Sequence, residues 1–350
     1  FDWEAPLSGS GDITFYSSAL AANSNGNQNG DQVYTSSIMV SEFIPPSTYV
    51  PDSAFEAYLE ANGMGNNILN DSNVFTSAID TVTNLDVSNQ NISDLTGIEG
   101  FIALDSLKCS TNQLTSLDLS NNIALTYLNC SSNNLDTLDV SNNTALTELY
   151  CPSNQITSLN VSVNTALTYL NCHSNQITSL DVSTNTALTH LYCGVNQLTS
   201  LDVSTNTALT VFNIGANQLS HLNITNNTAL MLLICMQNQL TSLDVSANIS
   251  LTTLWCDSNQ LTSLDVRNGN NTNMVYFDSE SNPSLSCINV DDFQYSLFNW
   301  TYIDTQHYFS NNCSPSAIEE NSTNKELFKV TDLLGRETKQ TNQPLFYIYN

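Results

Sequence analysis

The sequence predicts a β-rich solenoid built from coils of 21 residues, and three observations predict it. A cysteine returns on a fixed period at Cys109, Cys130, Cys151, Cys172 and Cys193, then at Cys235 and Cys256, with Ile214 filling the intervening rung. Each coil carries two short runs in which inward apolar residues flank an outward one, the alternation of a half-buried strand. An Asn follows each run and turns the chain, because its amide bonds backbone groups that the bend leaves unpaired. A fixed period of this length means stacked coils rather than one globular core.

Leu135 to Gln155 shows the unit. Leu135, Leu138, Val140 and Asn143 give one match to L-x-x-L-x-(V/C)-x-x-N, and Leu146, Leu149, Cys151 and Asn154 give the second. This pattern resembles the leucine-rich repeat family, specifically its cysteine-ladder type, over roughly residues 82–287. The resemblance implies that the cysteine half, which ends in the family's N-x-L manner, forms the concave strand. One coil buries about five large apolar side chains at roughly 2 kcal/mol each. Ordering its residues costs at least ~1 kcal/mol per residue, so stacking and end caps must supply the rest.

Both caps are legible. Residues 48–85 read as a helical N-terminal cap, with Asp52 or Ser53 as N-cap, Phe55, Tyr58 and Leu59 as the apolar face and Gly63 as the stop. Residues 86–286 are the solenoid. Its pattern decays near the end, where a strict period puts Gly269 at the turn Asn, Phe277 on the cysteine rung, Glu280 at the following Asn, and Met274 with Tyr276 outward. Residues 287–313 read as a C-terminal cap.

The seven ladder cysteines stand at inward positions beside Leu, and Ile214 substitutes for one of them, so they read as buried free thiols rather than ligands or nucleophiles. Cys287, expected on the valine rung, and Cys313 lie off the ladder. They either pair with each other, closing the cap by a disulfide and implying an oxidising compartment, or stay free. The segment between them is similar to the C-terminal cap of Bacteroidetes leucine-rich repeat proteins, which agrees with the pairing.

The outward residues differ between the two strand types. The valine half repeats itself, as Thr115, Ser116 and Asp118, then Thr178, Ser179 and Asp181, then Thr199, Ser200 and Asp202. The cysteine half varies and is aromatic, making Tyr127, Tyr150, Tyr169, Tyr192, Trp255 and Tyr276 the candidate ligand-binding residues, since Tyr and Trp carry binding energy at interfaces. Against this stands a purely structural cross-strand ladder. The row Asp118, Asp139, Asp181, Asp202, Asp244 and Asp265 requires either solvent screening with bonds to neighbouring Ser and Thr, the plainer account, or bridging calcium. No other cofactor is expected. The four His fall at unrelated repeat positions, and the motifs of common hydrolases and phosphate-binding loops are missing, so catalysis is not expected.

Composition narrows the partners. Six Lys+Arg against 33 Asp+Glu give a formal charge of −27, which disfavours nucleic acid and anionic membrane. No apolar run approaches the ~20 residues that span a bilayer. The start at Phe1 reads as processed or truncated.

The ends differ from the solenoid. Residues 1–47 carry β-rich runs at Asp12–Tyr16 and Gln32–Ser41 around an Asn/Gly-rich loop. With Phe1, Trp3, Ala5 and Pro6, then Thr14, Phe15 and Tyr16, then Gly30, Asp31, Val33, Tyr34 and Thr35, they resemble the closing half of a reeler-like β-sandwich, which either earlier residues or a neighbouring chain would complete. Residues 314–324 read as a linker. Residues 325–350 hold four of the six basic residues and read as strands at Leu327–Thr331 and Leu345–Tyr349. Lys329, Val330, Asp332, Leu334, Gly335 and Arg336 match the core of a type IX secretion sorting domain, in partial form. The resemblances together imply a secreted or outer-membrane surface protein of a Gram-negative Bacteroidetes bacterium that binds a protein or glycan. A rigid repeat spacer within a larger surface assembly is the alternative, and a hydrolase with its catalytic part elsewhere is a third class.

Overall fold

The structure, a computed structural model, describes residues 11–21, 32–313, 327–331 and 346–349. The N-terminal strands β1 (Ile13–Ala21) and β2 (Gln32–Val40) pair as an antiparallel hairpin. A short antiparallel pair, β3 (Ser47–Tyr49) and β4 (Asn73–Phe75), then brackets helix α1 (Ser53–Ala61) and leads into α2 (Thr76–Ile79). Asp52 caps α1: one carboxylate oxygen accepts the N–H groups of Ala54 and Phe55. The other accepts Ser93 N–H and Oγ–H and the N–H of Asp94. One side chain thus ends a helix and ties it to the first coil. Phe55 and Leu59 are fully buried against the stack, and Gly63 adopts a positive φ just beyond the helix.

The solenoid follows as stacked coils. Strands β5 (Asn84–Asp86), β6 (Ser106–Lys108), β7 (Tyr127–Asn129), β8 (Glu148–Tyr150), β9 (Tyr169–Asn171), β10 (His190–Tyr192), β11 (Val211–Asn213) and β12 (Leu232–Ile234) lie side by side. Strands of both coil faces then alternate along the chain: β13 (Ser242–Asp244), β14 (Thr253–Trp255), β15 (Ser263–Asp265), β16 (Tyr276–Asp278) and β17 (Cys287–Asn289). Strands β5 to β12, β14 and β16 make one ten-stranded parallel sheet, and β13, β15, β17 and β18 (Tyr308–Ser310) a second, four-stranded one. Helix α3 (Phe293–Asn299) precedes β18. The long sheet is the cysteine half of the repeat, as its sequence pattern requires.

Inside, Leu107, Leu128, Leu149, Leu170 and Leu191 stack in register, and every ladder cysteine is buried and free. Ile214 is equally buried. Burial pushes the thiols up, Cys130 and Cys172 to about 12, so they persist as protonated small hydrophobes. The Sγ–H of Cys151 points at the carbonyl of Asn171 on the next strand.

Two rows of buried Asn hold the turns in different ways. In the row after the cysteines, Asn154 donates Nδ2–H to the carbonyls of Cys130 and Cys151 and accepts Leu135 N–H on Oδ1. In the row after the valines, Asn164 donates to the carbonyls of Val140 and Asn143, while its buried Oδ1 accepts nothing from the protein. The first row follows a left-handed residue in every coil, Ser153 for Asn154 and Val195 for Asn196. Thr111 at φ 57° and Val195 at φ 53° are the β-branched members of this series, where the left-handed region is most costly.

The last coils correct the strict period. Leu254 pairs with Phe277 and Trp255 with Asp278, so 23 residues separate neighbours here. The two additional residues are absorbed around the 3-10 turn Asn271–Asn273. Phe277 therefore sits on the leucine rung, and Ser279, fully buried, takes the cysteine rung. Asn282, not Glu280, takes the Asn position, donating to the carbonyls of Cys256 and Ser279 and accepting Leu261 N–H. Met274 is buried rather than outward. Asn268, not Gly269, bonds back to the carbonyl of Asn248. Cys287 is also displaced from the expected valine rung. Ile288 pairs with Leu264, which sets Cys287 at the half-exposed outward position beside Ser263. From there it forms a disulfide with Cys313. Closing a loop of 26 residues is worth about 3–4 kcal/mol by chain entropy.

At the ends, β19 (Leu327–Thr331) and β20 (Phe346–Tyr349) pair antiparallel, matching the strands read from sequence to within a residue. Lys329 and Val330 lie on β19. Asp332, Leu334, Gly335 and Arg336, the linker 314–324, Phe1, Trp3, Ala5, Pro6, Gly30 and Asp31 lie outside the described residues. Among the described residues, no helix is long and apolar enough to cross a membrane.

Candidate functional site

The outward side chains of the ten-stranded sheet form a ribbon whose order comes from strand register. From β7 onward, position one of each strand reads Tyr127, Glu148, Tyr169, His190, Val211, Leu232, Thr253, Tyr276, and position three reads Asn129, Tyr150, Asn171, Tyr192, Asn213, Ile234, Trp255, Asp278. Tyrosine thus alternates between the two columns from one coil to the next. The stagger packs each ring diagonally against the next coil's ring: Tyr127 and Tyr150 at 5.4 Å, Tyr150 and Tyr169 at 4.5 Å, Tyr169 and Tyr192 at 5.5 Å between centroids. His190 joins at 5.3 Å from Tyr169. Lys108 ends this stack, its Nζ 5.9 Å from the Tyr127 centroid, within cation–π range.

The Asn residues that alternate with these tyrosines have their own work. Asn129, Asn171 and Asn213 accept the N–H two residues on, at Ser131, His173 and Gly215. They turn the chain out of the strand. Where Tyr stands instead, that bond is given up for ring contact. Tyr150 Oη donates to Glu148 Oε2 at 2.9 Å. Burial first, and then this acceptor, push its phenol up. Tyr169 is pushed up to about 12, chiefly by burial. These hydroxyls remain neutral donors at any physiological pH.

A second stack stands at the C-terminal end. Trp255 and Tyr276 lie 4.9 Å apart, and Tyr276 and Tyr302 5.4 Å. Tyr302 joins through a bridge to Asp278. Between the stacks the ribbon is aliphatic, at Val211, Leu232 and Ile234. All six ring residues singled out by sequence therefore lie on one surface, but in two groups: Tyr127, Tyr150, Tyr169 and Tyr192 in one, Trp255 and Tyr276 in the other. Lys108 and Tyr302 were missed. Tyr302 lies in the cap, where no repeat period assigns its register, and Lys108 shows only once the strands are aligned.

The opposite face is a row of local bonds. Asp118, Asp139, Asp181 and Asp202 accept the N–H of Ser120, Ser141, Ser183 and Ser204. The backbone N–H for Asp118, and the serine hydroxyl followed by the N–H for the other three, hold these carboxyls below the usual range. Asp265 is held down by Arg267 against the upward push of burial. Among the described residues no three His, Cys, Asp or Glu side chains converge as a metal-holding group.

No protein-family model matches the chain. No curated protein matches it either. Solved structures do. The chain is similar to the functional domain of InlJ from Listeria monocytogenes, which includes a cysteine ladder, at 30% identity over 77% of this chain and 72% of that one, with a TM-score of 0.49. It is similar to a leucine-rich repeat protein of Leptospira interrogans at 28% identity, over 52% of this chain and half the length of the other, with a TM-score of 0.50. A TDR receptor shares the fold at 22% identity over 61% of this chain and 45% of the receptor, with a TM-score of 0.52. With the repeat restated in coil after coil and the stacked parallel strands it produces, the chain belongs to the leucine-rich repeat proteins. The coil is of the 21-residue kind with a cysteine ladder.

Proposed function

We propose that this chain is a surface-exposed or secreted protein-binding module and that the outward ribbon of the ten-stranded sheet is its contact face. The observation that carries this reading is the contrast between the two faces. Coils with nearly identical cores and valine-half surfaces diverge at the ribbon, and the divergence concentrates aromatic side chains there. The stacking favours a protein over a glycan. Rings stacked on one another have used their faces, which a sugar would need, and they turn edges and hydroxyls outward. The alternative, a spacer in which the tyrosines serve only as a stability ladder, predicts that their removal changes melting and nothing else.

The test replaces Tyr150, Tyr192 and Trp255 with Ser together and follows both partner capture and thermal unfolding. Loss of capture with the cooperative fold retained supports the ribbon. Unchanged capture overturns it. Export by the type IX route rests on the motif at Lys329, Val330, Asp332, Leu334, Gly335 and Arg336. Deleting residues 325–350 should leave the protein in the periplasm, and continued export would refute that route. Surface display on a Gram-negative Bacteroidetes cell is part of the same proposal.

A further inference from the structure

The two aromatic stacks end differently. The N-terminal stack ends on the chain's own Lys108, which lies over Tyr127. The C-terminal stack ends on Tyr302, which is 48% exposed and rests on Tyr276 by one face. The surroundings of this second end are negative. Asp278 lies beside it, accepting Tyr276 Oη–H on Oδ2 at 3.4 Å, and Glu280 follows on the surface. The Tyr276 phenol is pushed up by burial and then by the Asp278 charge, and Asp257, one strand back, is pushed up by burial and by the same carboxylate. Within residues 32–313 the Lys and Arg residues are Lys108 and Arg267; Arg267 is engaged with Asp265 on the other sheet.

We infer that this end of the ribbon docks an arginine side chain of a partner protein, its guanidinium flat on Tyr302 as Lys108 lies over Tyr127, and its N–H fork turned to Asp278. The inference rests on the ribbon being the protein-binding face and names what that face recognises. Arginine fits better than lysine, because a planar cation stacks on a ring and binds a carboxylate through two donors at once. The chain's charge of −27 favours a basic partner in the same sense and speeds its approach.

The test titrates the full chain calorimetrically with a decapeptide of alternating Arg and Ser, and with the same peptide carrying citrulline, which keeps the shape and loses the charge. The Arg peptide should bind at least about tenfold more tightly than the citrulline peptide, and Tyr302→Ala and Asp278→Asn should each weaken it about fivefold, while Tyr302→Phe retains it. A Lys version should fall between. Equal binding of the Arg and citrulline peptides, or no binding of either, overturns the inference. So does a loss spread equally over Tyr302→Ala and a distant Asp181→Asn control, which marks general attraction to a negative chain. The triple replacement in the capture test includes Trp255, which packs on Tyr276 in this stack, so the capture test is also run with Tyr150 and Tyr192 alone replaced; these lie in the other stack, and that arm stands or fails independently of the arginine site.

Discussion

Replacing Asn154 by Ala should cost about 4 kcal/mol, and the same change at Asn164 about 1 kcal/mol or less, although both are buried Asn of one central region. The difference follows from what each side chain leaves behind. Asn154 loses its two shorter Nδ2–H bonds and a longer contact at 3.4 Å to Pro152, but the carbonyls it served keep others, Cys130 from Asn133, Cys151 from Asn175 and Pro152 from the Ser132 N–H. Each lost bond is worth about 1 kcal/mol net. The Leu135 N–H, which gave its bond to Oδ1, is left buried without an acceptor, adding about 2 kcal/mol. At Asn164 two Nδ2–H bonds are also lost, and the carbonyls again keep partners: the Asn143 N–H on Val140 and the Leu146 N–H on Asn143. No donor is orphaned, and removing the unpartnered Oδ1 returns about 1–2 kcal/mol. Urea midpoints of the two variants give the comparison. The two sites lie in neighbouring coils, so any loss of two-state behaviour in a repeat array affects both alike. Amide exchange at Leu135 should accelerate only in Asn154→Ala. Equal midpoints, or a larger loss at Asn164, would refute the assignment of roles to the two rows.

Three further outcomes follow from the same geometry. The seven ladder thiols should resist iodoacetamide at pH 8 in the folded protein and react in guanidinium, because they are buried and protonated; stoichiometric labelling of the native chain would contradict this. Val195→Gly should raise stability by about 1 kcal/mol, since it relieves a β-branched residue at positive φ whose side chain is exposed, and a lower melting temperature would count against the strain. Asp118, Asp139, Asp181 and Asp202 have folded pKa values below their unfolded ones, so their contribution is present above the ordinary carboxylate pKa and is lost as pH falls through the folded values. Melting temperature should therefore hold from pH 7 to 5 and fall below about pH 4. EDTA should leave it unchanged if serine bonds alone hold this row, whereas a drop reversed by calcium would favour the bridging-ion account.

Much of the fold was legible because each coil restates the same constraint. The alternation of inward Leu149, outward Tyr150 and inward Cys151, the turn Asn154 and the cap Asp52 all follow from local chemistry that a short window contains. What failed did so for one reason. Extrapolating a period of 21 through Gly269 and Asn270 missed two additional residues, which the 3-10 turn absorbs outside the strands. That slip misplaced Phe277, Glu280 and Met274 together, since a shift of two residues moves a side chain to another rung, and one further residue before β17, where Leu264 pairs with Ile288 24 residues on, displaced Cys287. The candidate site was legible residue by residue but not as an arrangement. Sequence names Tyr127, Tyr150, Tyr169 and Tyr192 as outward, yet their diagonal stacking depends on which column each occupies in neighbouring strands. The second stack's end at Tyr302 depends on how the cap folds onto the last coil.

The account's central claim is that binding uses the ribbon of the ten-stranded sheet. Hydrogen–deuterium exchange of the full chain, alone and saturated with a captured partner protein, tests it most directly. Protection confined to ribbon segments carrying 127–129, 148–150, 169–171, 190–192, 253–255, 276–278 and 302, with 115–118, 178–181 and 199–202 unchanged, is the predicted result. Protection centred on the uniform Thr-Ser-Asp face, with the tyrosine strands unaffected, would contradict it.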